Sequence, residues 1–437
     1  MAPWKQEAHQ ALTRTLSQKV PALSADALQA FVALYLDRRH TFLDAAGRHG
    51  SPLYLLDKPA LEAAAVRFKA AFEQVLPEVG FYYAVKSNNH PEVARTLVSH
   101  GLGLDVSSGL ELETALQLGV RDAVFSGPGK TDAELDLAAR HAGRVTVLLD
   151  SPGELHRLEA AAAAQAAAVR CGVRLTVNPN GLWRKFGIAL ESLADFWAMA
   201  RRCPHIELAG LQFHTSWNLT PEPQIAFIQR LGKALAALPN AFIEAIDFID
   251  IGGGYWPGQG EWLHDAATPA GRVRDALGLA AATGPSREHR CLSAEPIESF
   301  ARQLAEALCE NIFNVKPCRI CVEPGRWISH ASMHLLITVV DKKASDLVIT
   351  DAGTNAVGWE RYESDFFPVL NLSRPSLQEH PCHILGSLCT PHDVWGYFYF
   401  GTAVEPGDVL MIPTQGAYTY SLRQNFIKPL PEVVVLQ

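Results

Sequence analysis

The sequence contains no long run of charge of one sign and no long apolar run. Its 437 residues carry a net charge of -8 without an acidic or basic block, so a nucleic-acid footprint or a patch for anionic membranes is not indicated. No stretch of uncharged apolar residues is long enough to cross a membrane, and the N-terminal residues lack the apolar core of a signal peptide. We therefore expect a cytoplasmic protein with a small-molecule partner, and neither a nucleic-acid nor a membrane partner.

Cysteine is also sparse. The 8 cysteines are scattered over the chain and do not make a disulfide framework, so we expect reduced thiols. Cys318 and Cys321 form a CxxC pair, but it lies in an apolar run with no second pair nearby. This context favours buried core cysteines over a zinc or redox site. We predict no metal ion.

The central part of the chain alternates short apolar runs with helical segments, which is typical of parallel βα units. The predicted strands are 81–86, 103–107, 122–126, 144–149, 172–177, 207–214, 246–251 and 318–323. Eight such repeats predict an α/β fold with a (β/α)8 barrel of the TIM type. Functional residues of such barrels follow the C-terminal ends of the strands.

The two ends of the chain differ from this pattern. After the barrel, short strands separated by turns (334–341, 346–350, 383–388, 408–412 and 432–436) predict a C-terminal all-β domain. We predict three parts: a helical extension that leads into the β domain at 1–49, the barrel at 50–326 and the β domain at 327–437. The connection at about 255–317 is longer than the others and is a candidate lid or substrate loop.

One strand-like segment, Phe81–Val85, is followed by Lys86 and then by small polar residues. A lysine at a strand end can form a Schiff base with an aldehyde cofactor if its surroundings lower its pKa. Taken alone, such a lysine is more often a solvated strand end.

Three further strand ends carry residues that suit the same cofactor. His214 follows the sixth strand and can stack on a flat ring, although a lone histidine there is more often a rim residue. Gly252–Gly254 follow the seventh strand, where backbone amides could close around a phosphate or form only a tight turn. Glu323 and Arg326 follow the eighth strand and could hold a ring nitrogen and the phosphate. Together these residues describe a pyridoxal phosphate site.

The combination resembles the fold-type III pyridoxal-phosphate decarboxylases, the group that includes diaminopimelate and ornithine decarboxylases and, more distantly, alanine racemase. The resemblance covers about residues 50–430. The matching segments are Tyr83–Asn88, Leu104–Leu112, Gly252–Gly254, Glu323–Arg326, Asp351–Gly353, Gly386–Cys389, Asp393 and Tyr418.

The resemblance implies specific roles for residues of this chain. It implies Lys86 as the Schiff-base lysine, with His214 on the cofactor ring and Glu323 on its nitrogen. It implies further cofactor contacts from Asp105, Ser216, Gly252, Gly253, Gly254, Gly325, Arg326 and Tyr418. It also implies a homodimer in which Cys389, as the proton donor, and Asp393 reach Lys86 and His214 of the other chain. Asp351 and Asp393 then resemble groups that hold a distal amine, and Arg361 could bind a distal carboxylate.

The carboxylate of Glu323 favours a decarboxylase, because a protonated ring nitrogen is the stronger electron sink. A racemase on the same fold, with Tyr418 or Tyr420 as second base, stays open, as does a non-catalytic homologue. Thr390 replaces the glutamate that usually follows the cysteine, His214–Asn218 reads HTSWN, and Trp359–Tyr362 lacks the usual Arg-Pro run. These departures favour an amino acid joined to a larger acid or carrier, as in siderophore or natural-product biosynthesis.

Overall fold

The structure is a computed structural model that describes residues 3–279, 288–358 and 364–437. The chain divides into two compact units. The barrel unit comprises Lys58–Gly258 and Ala294–Ser329, and the sheet unit comprises Met1–Asp57, Gln259–Ser293 and His330–Gln437.

The described residues form the following strands and α-helices. The strands are β1 (Leu53–Asp57), β2 (Val79–Ala84), β3 (Gly103–Val106), β4 (Ala123–Phe125), β5 (Val145–Leu149), β6 (Val169–Leu175), β7 (Ile206–Phe213), β8 (Phe248–Asp250), β9 (Glu261–His264), β10 (His289–Leu292), β11 (Arg319–Val322), β12 (Met333–Ala344), β13 (Leu347–Thr350), β14 (Leu370–Asn371), β15 (Glu379–Leu385), β16 (Val394–Phe400), β17 (Val409–Ile412) and β18 (Glu432–Leu436). The helices are α1 (Pro3–Ser17), α2 (Ala25–Leu36), α3 (Arg39–His49), α4 (Lys58–Glu73), α5 (Pro91–Ser99), α6 (Gly109–Gln117), α7 (Asp132–Arg140), α8 (Pro152–Ala164), α9 (Leu193–Ala200), α10 (Glu222–Leu235), α11 (Asn240–Ala245), α12 (Pro269–Ala276), α13 (Ile297–Leu308) and α14 (Arg326–Ser329).

The barrel unit is a closed ring of parallel strands in the order β11-β2-β3-β4-β5-β6-β7-β8. This confirms the predicted (β/α)8 barrel, and every predicted strand overlaps an observed one. The strands are almost entirely buried, as expected when side chains fill the interior and helices cover the outside. All strands run the same way, so their C-terminal ends share one rim.

Three consecutive helices on this rim begin with side-chain caps. Ser108, Thr131 and Ser151 precede α6, α7 and α8, and each side-chain oxygen accepts a hydrogen bond from the backbone N–H three residues further on. Such caps satisfy amides that the first helical turn leaves unpaired. They fix the point at which each helix leaves the segment that follows its strand.

The sheet unit contains an eight-stranded sheet in the order β13-β15-β16-β14-β17-β12-β1-β18. This confirms the predicted β domain. The sequence prediction omitted β1, β14 and β16. Within this unit α2 and α3 supply Leu28, Val32 and Phe42 to an apolar core shared with sheet residues such as Leu336 and Met411.

The two units differ from the predicted domain boundaries in two places. The predicted barrel began at residue 50, but β1 pairs with β12 and β18 and belongs to the sheet unit. The residues of Gln259–Ser293, predicted as part of a barrel connection, also group with the sheet unit and contain the hairpin β9–β10. The lid role of the connection at 255–317 stays a prediction, and residues 280–287 within it lie outside the described residues.

Candidate active site

Lys86 lies in the 3-10 turn Val85–Ser87 that follows β2, and Asp105 on the neighbouring strand holds its amine. Lys86 Nζ lies 2.7 Å from Asp105 Oδ2, and the other oxygen of Asp105 accepts a hydrogen bond from the Ser126 hydroxyl, which follows β4. Asp105 is fully buried, whereas one third (33%) of the Lys86 side chain is exposed. The amine is therefore fixed in position by two strand ends and remains accessible from the barrel rim.

The segments that follow β7 and β8 pair with each other and bring His214 against the glycine turn, Gly252–Gly254. Asn218 N–H donates to Gly254 O at 2.9 Å, and Trp256 N–H donates to Asn218 O at 3.3 Å. A Cβ atom at Gly253 would lie 3.4 Å from His214 Nε2. The histidine ring therefore lies against the glycine turn.

The glycine turn has no room for side chains. Gly252 and Gly254 adopt φ angles of +69° and +83°, where L-residues are strained. A Cβ atom would lie 2.2 Å from Glu323 O at Gly253 and 2.4 Å from Thr215 O at Gly254. Ser216 borders the turn, because its Cα would lie 3.2 Å from a Cβ at Gly254. Only glycine lets this backbone approach its neighbours so closely.

Glu323 follows β11 and carries a buried carboxyl group. Gln212 Nε2 donates to Glu323 Oε1 at 3.3 Å, while Oε2 receives no hydrogen bond from any described residue. Burial, followed by the nearby carboxyl groups of Asp105 and Asp250, raises the pKa of Glu323 well above its ordinary value, and Lys86 opposes this shift. A cationic N–H group placed beside Oε2 would give this oxygen a hydrogen-bond donor and would lower the pKa of Glu323.

The residues after Glu323 complete this side of the rim. Gly325 packs against the segment that carries Lys86, because a Cβ there would lie 3.1 Å from Ser87 Oγ. The Arg326 guanidinium carbon lies 4.4 Å from the centre of the Trp256 ring, a cation–π distance. Arg326 is half-buried, and a guanidinium group at this place on the rim is of the type that binds phosphate.

The pKa of His214 lies well below its ordinary value, first because of burial and then because of the positive charges of Lys86 and Arg174. The imidazole is therefore neutral near pH 7. A neutral flat ring suits stacking against a cofactor ring rather than ion pairing.

The predicted residues outside the barrel unit are found in the sheet unit. Cys389 is exposed in the turn between β15 and β16, and Tyr418 is half-buried after β17 with a φ angle of 59°. Asp351 directly follows β13, and its Oδ1 accepts a hydrogen bond from Thr338 N–H at 2.9 Å. Arg361 lies outside the described residues.

The geometry of Asp393 argues against its predicted contact with a substrate amine. Its carboxyl group is buried, and Oδ1 accepts hydrogen bonds from Thr354 N–H at 2.7 Å and Oγ1 at 3.0 Å. Oδ2 accepts one from Leu388 N–H at 2.7 Å. Asp393 therefore fixes the turn that carries Cys389, and both of its oxygens already have partners.

Several residues of the site were not found from the sequence. Asp250, Gln212, Ser126, Asn218 and Trp256 all contact a predicted site residue. Asp250 stands two residues before the glycine turn in an apolar strand, and a charged residue in such a run was the available signal.

The barrel unit fits pyridoxal phosphate. Lys86 offers an accessible amine for the aldehyde, and the unsatisfied buried oxygen of Glu323 fits a protonated ring nitrogen. The glycine turn and Arg326 fit a phosphate, and neutral His214 lies against the glycine turn. Among the residues that the structure describes, no cluster of side chains could hold a metal ion, and no helix has both the length and the hydropathy of a membrane span.

Comparison with known proteins gives relatives that align over most of the chain. A diaminopimelate decarboxylase of Neisseria meningitidis serogroup A is 25% identical over 395 residues, 86% of this chain and 87% of that protein. An L-glutamyl-[BtrI acyl-carrier protein] decarboxylase of Niallia circulans is 24% identical over 86% of this chain and 85% of its own length.

Solved structures share the fold. A point mutant of diaminopimelate decarboxylase of Helicobacter pylori in complex with L-lysine superposes with a TM-score of 0.72 at 24% identity, covering 91% of this chain and 94% of that one. Lysine/ornithine decarboxylase of Vibrio vulnificus gives a TM-score of 0.69 at 22% identity, covering 92% and 98%. Both likenesses support the barrel and the β domain described above.

The family model for the pyridoxal-binding domain of pyridoxal-dependent decarboxylases matches residues 62–330, which include Lys86, His214, the glycine turn and Glu323. The chain therefore belongs to this family and is a pyridoxal-phosphate-dependent amino-acid decarboxylase.

Proposed function

We propose that the substrate is an amino acid joined to a larger acid or carrier, rather than free diaminopimelate. The observation that carries this proposal is the hydrogen bonding of Asp393, whose two carboxyl oxygens accept hydrogen bonds from Thr354 N–H and Leu388 N–H. Asp351 uses one oxygen on Thr338 N–H, and the neutral Thr390 follows Cys389. The described residues around Cys389 thus offer little negative charge for a distal ammonium group.

A relative supports the same substrate class. The protein of Niallia circulans is named for a glutamyl group on an acyl-carrier protein. A carrier-bound amino acid has its distal end in an acyl linkage and needs no anionic pocket there. The lost charge next to Cys389 is consistent with such a substrate.

The barrel residues would hold the cofactor and leave the reacting carboxylate to lose carbon dioxide. Lys86 would hold the cofactor covalently, the glycine turn and Arg326 would bind its phosphate, and Glu323 would accept the hydrogen bond of its ring nitrogen. Bound pyridoxal phosphate supplies the electron sink for the charge that remains when the carboxylate leaves. Neutral His214 adds no positive charge of its own beside the ring.

We also propose that the enzyme is a homodimer that works in the cytoplasm, with Cys389 of one protomer acting at Lys86 of its partner. Cys389 is exposed on a turn that Asp393 holds in place. An exposed thiol on a fixed turn is suited to deliver a proton to the substrate carbon after decarboxylation. In a dimer, this otherwise solvent-facing thiol would lie at the active site of the partner protomer.

A substrate panel tests the reaction. Carbon dioxide release is measured with diaminopimelate, lysine, ornithine and arginine, and with glutamyl and diamino-acid conjugates of a pantetheine-type thiol. Lys86→Ala is the inactive control, and Lys343→Ala, at an exposed position, controls for the loss of a lysine. We expect release from a conjugate only. Faster turnover of free diaminopimelate would contradict the proposed substrate, and racemisation without carbon dioxide would favour the racemase alternative.

Mixed dimers test the shared site. Lys86→Ala and Cys389→Ala chains are each expected to be inactive alone. Random association of the two gives mixed dimers with one intact site, so activity should return to about one quarter of the wild-type level. If mixing restores no activity while the mixed dimer forms, Cys389 does not act across the interface.

A further inference from the structure

The three carbonyl groups of the glycine turn are all held by other parts of the barrel unit. Gly252 O accepts a hydrogen bond from Glu323 N–H at 2.9 Å. Gly253 O accepts one from Asn218 Nδ2 at 3.2 Å, and Gly254 O accepts one from Asn218 N–H at 2.9 Å. Two of the three carbonyl oxygens are therefore held by the side chain and the backbone of one residue, Asn218.

The N–H groups that follow these carbonyls point the other way. A trans peptide unit is planar, and its C=O and N–H lie on opposite sides. The N–H groups of Gly253, Gly254 and Tyr255 therefore point away from the partners of the preceding carbonyls. Within the part of the chain that the structure describes, none of these three N–H groups donates a hydrogen bond. Successive backbone donors of this kind bind anions.

The side chain of Asn218 is itself fixed. It is buried, with 1% of the residue exposed, and Nδ2 donates a second hydrogen bond to Thr215 Oγ1 at 2.7 Å. The atom beside Gly253 O must be the amide nitrogen, because two carbonyl oxygens cannot bond to each other. These two hydrogen bonds set the orientation of the amide group.

We propose that Asn218 is a positioning residue of the cofactor site. It holds the carbonyl groups of Gly253 and Gly254 and so turns the N–H groups of the glycine turn towards the cofactor phosphate. Asn218 acts through the turn and does not itself contact the phosphate. The proposal rests on the phosphate-binding role of the glycine turn and is independent of which amino acid the enzyme decarboxylates.

The test compares pyridoxal phosphate with pyridoxal, which has the same ring and aldehyde but no phosphate. Each is titrated into the cofactor-stripped full-length chain, and binding is followed by fluorescence. The ratio of the two dissociation constants measures what the phosphate contributes to binding. General damage to the fold weakens the binding of both ligands, whereas a misoriented glycine turn weakens that of pyridoxal phosphate alone.

Two variants remove the amide donor. In Asn218→Ala, Gly253 O loses its partner, so the preference for pyridoxal phosphate should fall at least about tenfold. The affinity for pyridoxal should stay within about threefold of wild type. Asn218→Asp keeps the shape of the side chain but places a carboxyl oxygen beside Gly253 O, and it should lose at least as much of the preference.

Asn311→Ala is the matched control. Asn311 Nδ2 donates to Ala307 O at 2.8 Å in the helical segment after α13, and its loss should leave both affinities unchanged. A preference within about twofold of wild type in Asn218→Ala would overturn the proposal. So would an equal loss of affinity for both ligands, which would make Asn218 a general structural residue.

Two further outcomes are decisive. If Asn218→Ala does not fold, the same comparison is made with Asn218→Asp, which keeps the volume of the side chain. If wild type itself binds pyridoxal as tightly as pyridoxal phosphate, the glycine turn does not bind the phosphate, and the proposal for Asn218 fails with it.

Discussion

A buried ion pair supports the rim of the barrel, and removing one partner gives a large predicted effect. Lys130 Nζ lies 2.8 Å from Glu154 Oε1, and the two side chains are 0% and 2% exposed. Lys130 Nζ also donates to Leu148 O at 2.7 Å, and Glu154 Oε1 accepts a hydrogen bond from Asp150 N–H at 3.3 Å. The pair thus connects the segments that follow β4 and β5.

The magnitude can be worked from this geometry. Two unit charges at the observed 2.8 Å attract each other by about 6 kcal/mol at an effective dielectric constant of 20. Much of this energy offsets the cost of removing both charges from water. Lys130→Met removes the attraction but leaves Glu154 buried, so the free energy of unfolding should fall by about 3–5 kcal/mol.

The assay is a double-mutant cycle with urea unfolding of the cofactor-free chain, followed by fluorescence and circular dichroism. The double variant Lys130→Met/Glu154→Leu should recover most of the lost stability, because no unpaired buried charge remains. Arg140→Met is the matched control: Arg140 pairs with Asp136 on the exposed face of α7 at 3.0 Å, and its loss should cost less than about 1 kcal/mol. A Lys130→Met effect as small as the control effect would refute the reasoning.

Two further predictions concern the site itself. Gly253→Ala places a Cβ 2.2 Å from Glu323 O. The affinity for pyridoxal phosphate should therefore fall by at least about tenfold in a fluorescence titration. The control Gly258→Ala, with open space at its Cβ, should bind the cofactor normally. Equal affinities would mean that the turn tolerates a side chain. Cys389→Ser should lower kcat by about a hundredfold or more in a carbon dioxide assay if the thiol is the proton donor, with little change in melting temperature because Cys389 is exposed. Cys309→Ser, at another exposed cysteine, should leave kcat unchanged, and an equally small effect at Cys389 would remove it from the mechanism.

The barrel could be predicted from the sequence because its strands are local signals. Each is a short apolar run bounded by turn residues, and the C-terminal ends of the parallel strands all lie on the same rim of the barrel. The sequence prediction found four features at strand ends: Lys86, His214, the glycine turn and Glu323. The structure brings them together within the barrel unit. Functional residues that follow a strand end can therefore be predicted from the sequence.

Features that depend on distant pairing were not predictable in the same way. β1 lies next to the barrel sequence, but its partners are β12 and β18, hundreds of positions later. The buried contacts of Asp393 with Thr354 and Leu388 are equally non-local. The strand Val394–Phe400 was different, because its aromatic residues are a strand signal that could have been used.

The HTSWN departure has a physical explanation in the barrel unit. The Trp217 ring stacks against that of Trp256 with 6.5 Å between the ring centres and an angle of 29° between the planes. The Arg326 guanidinium group in turn lies 4.4 Å from the centre of Trp256. Trp217 therefore packs beside the ring that contacts Arg326, so the altered motif adds an aromatic neighbour to the Trp256–Arg326 contact. A small residue at position 217 could not make this ring contact with Trp256. We therefore connect the unusual sequence of this motif with the surroundings of Arg326 and not with the loss of a binding site.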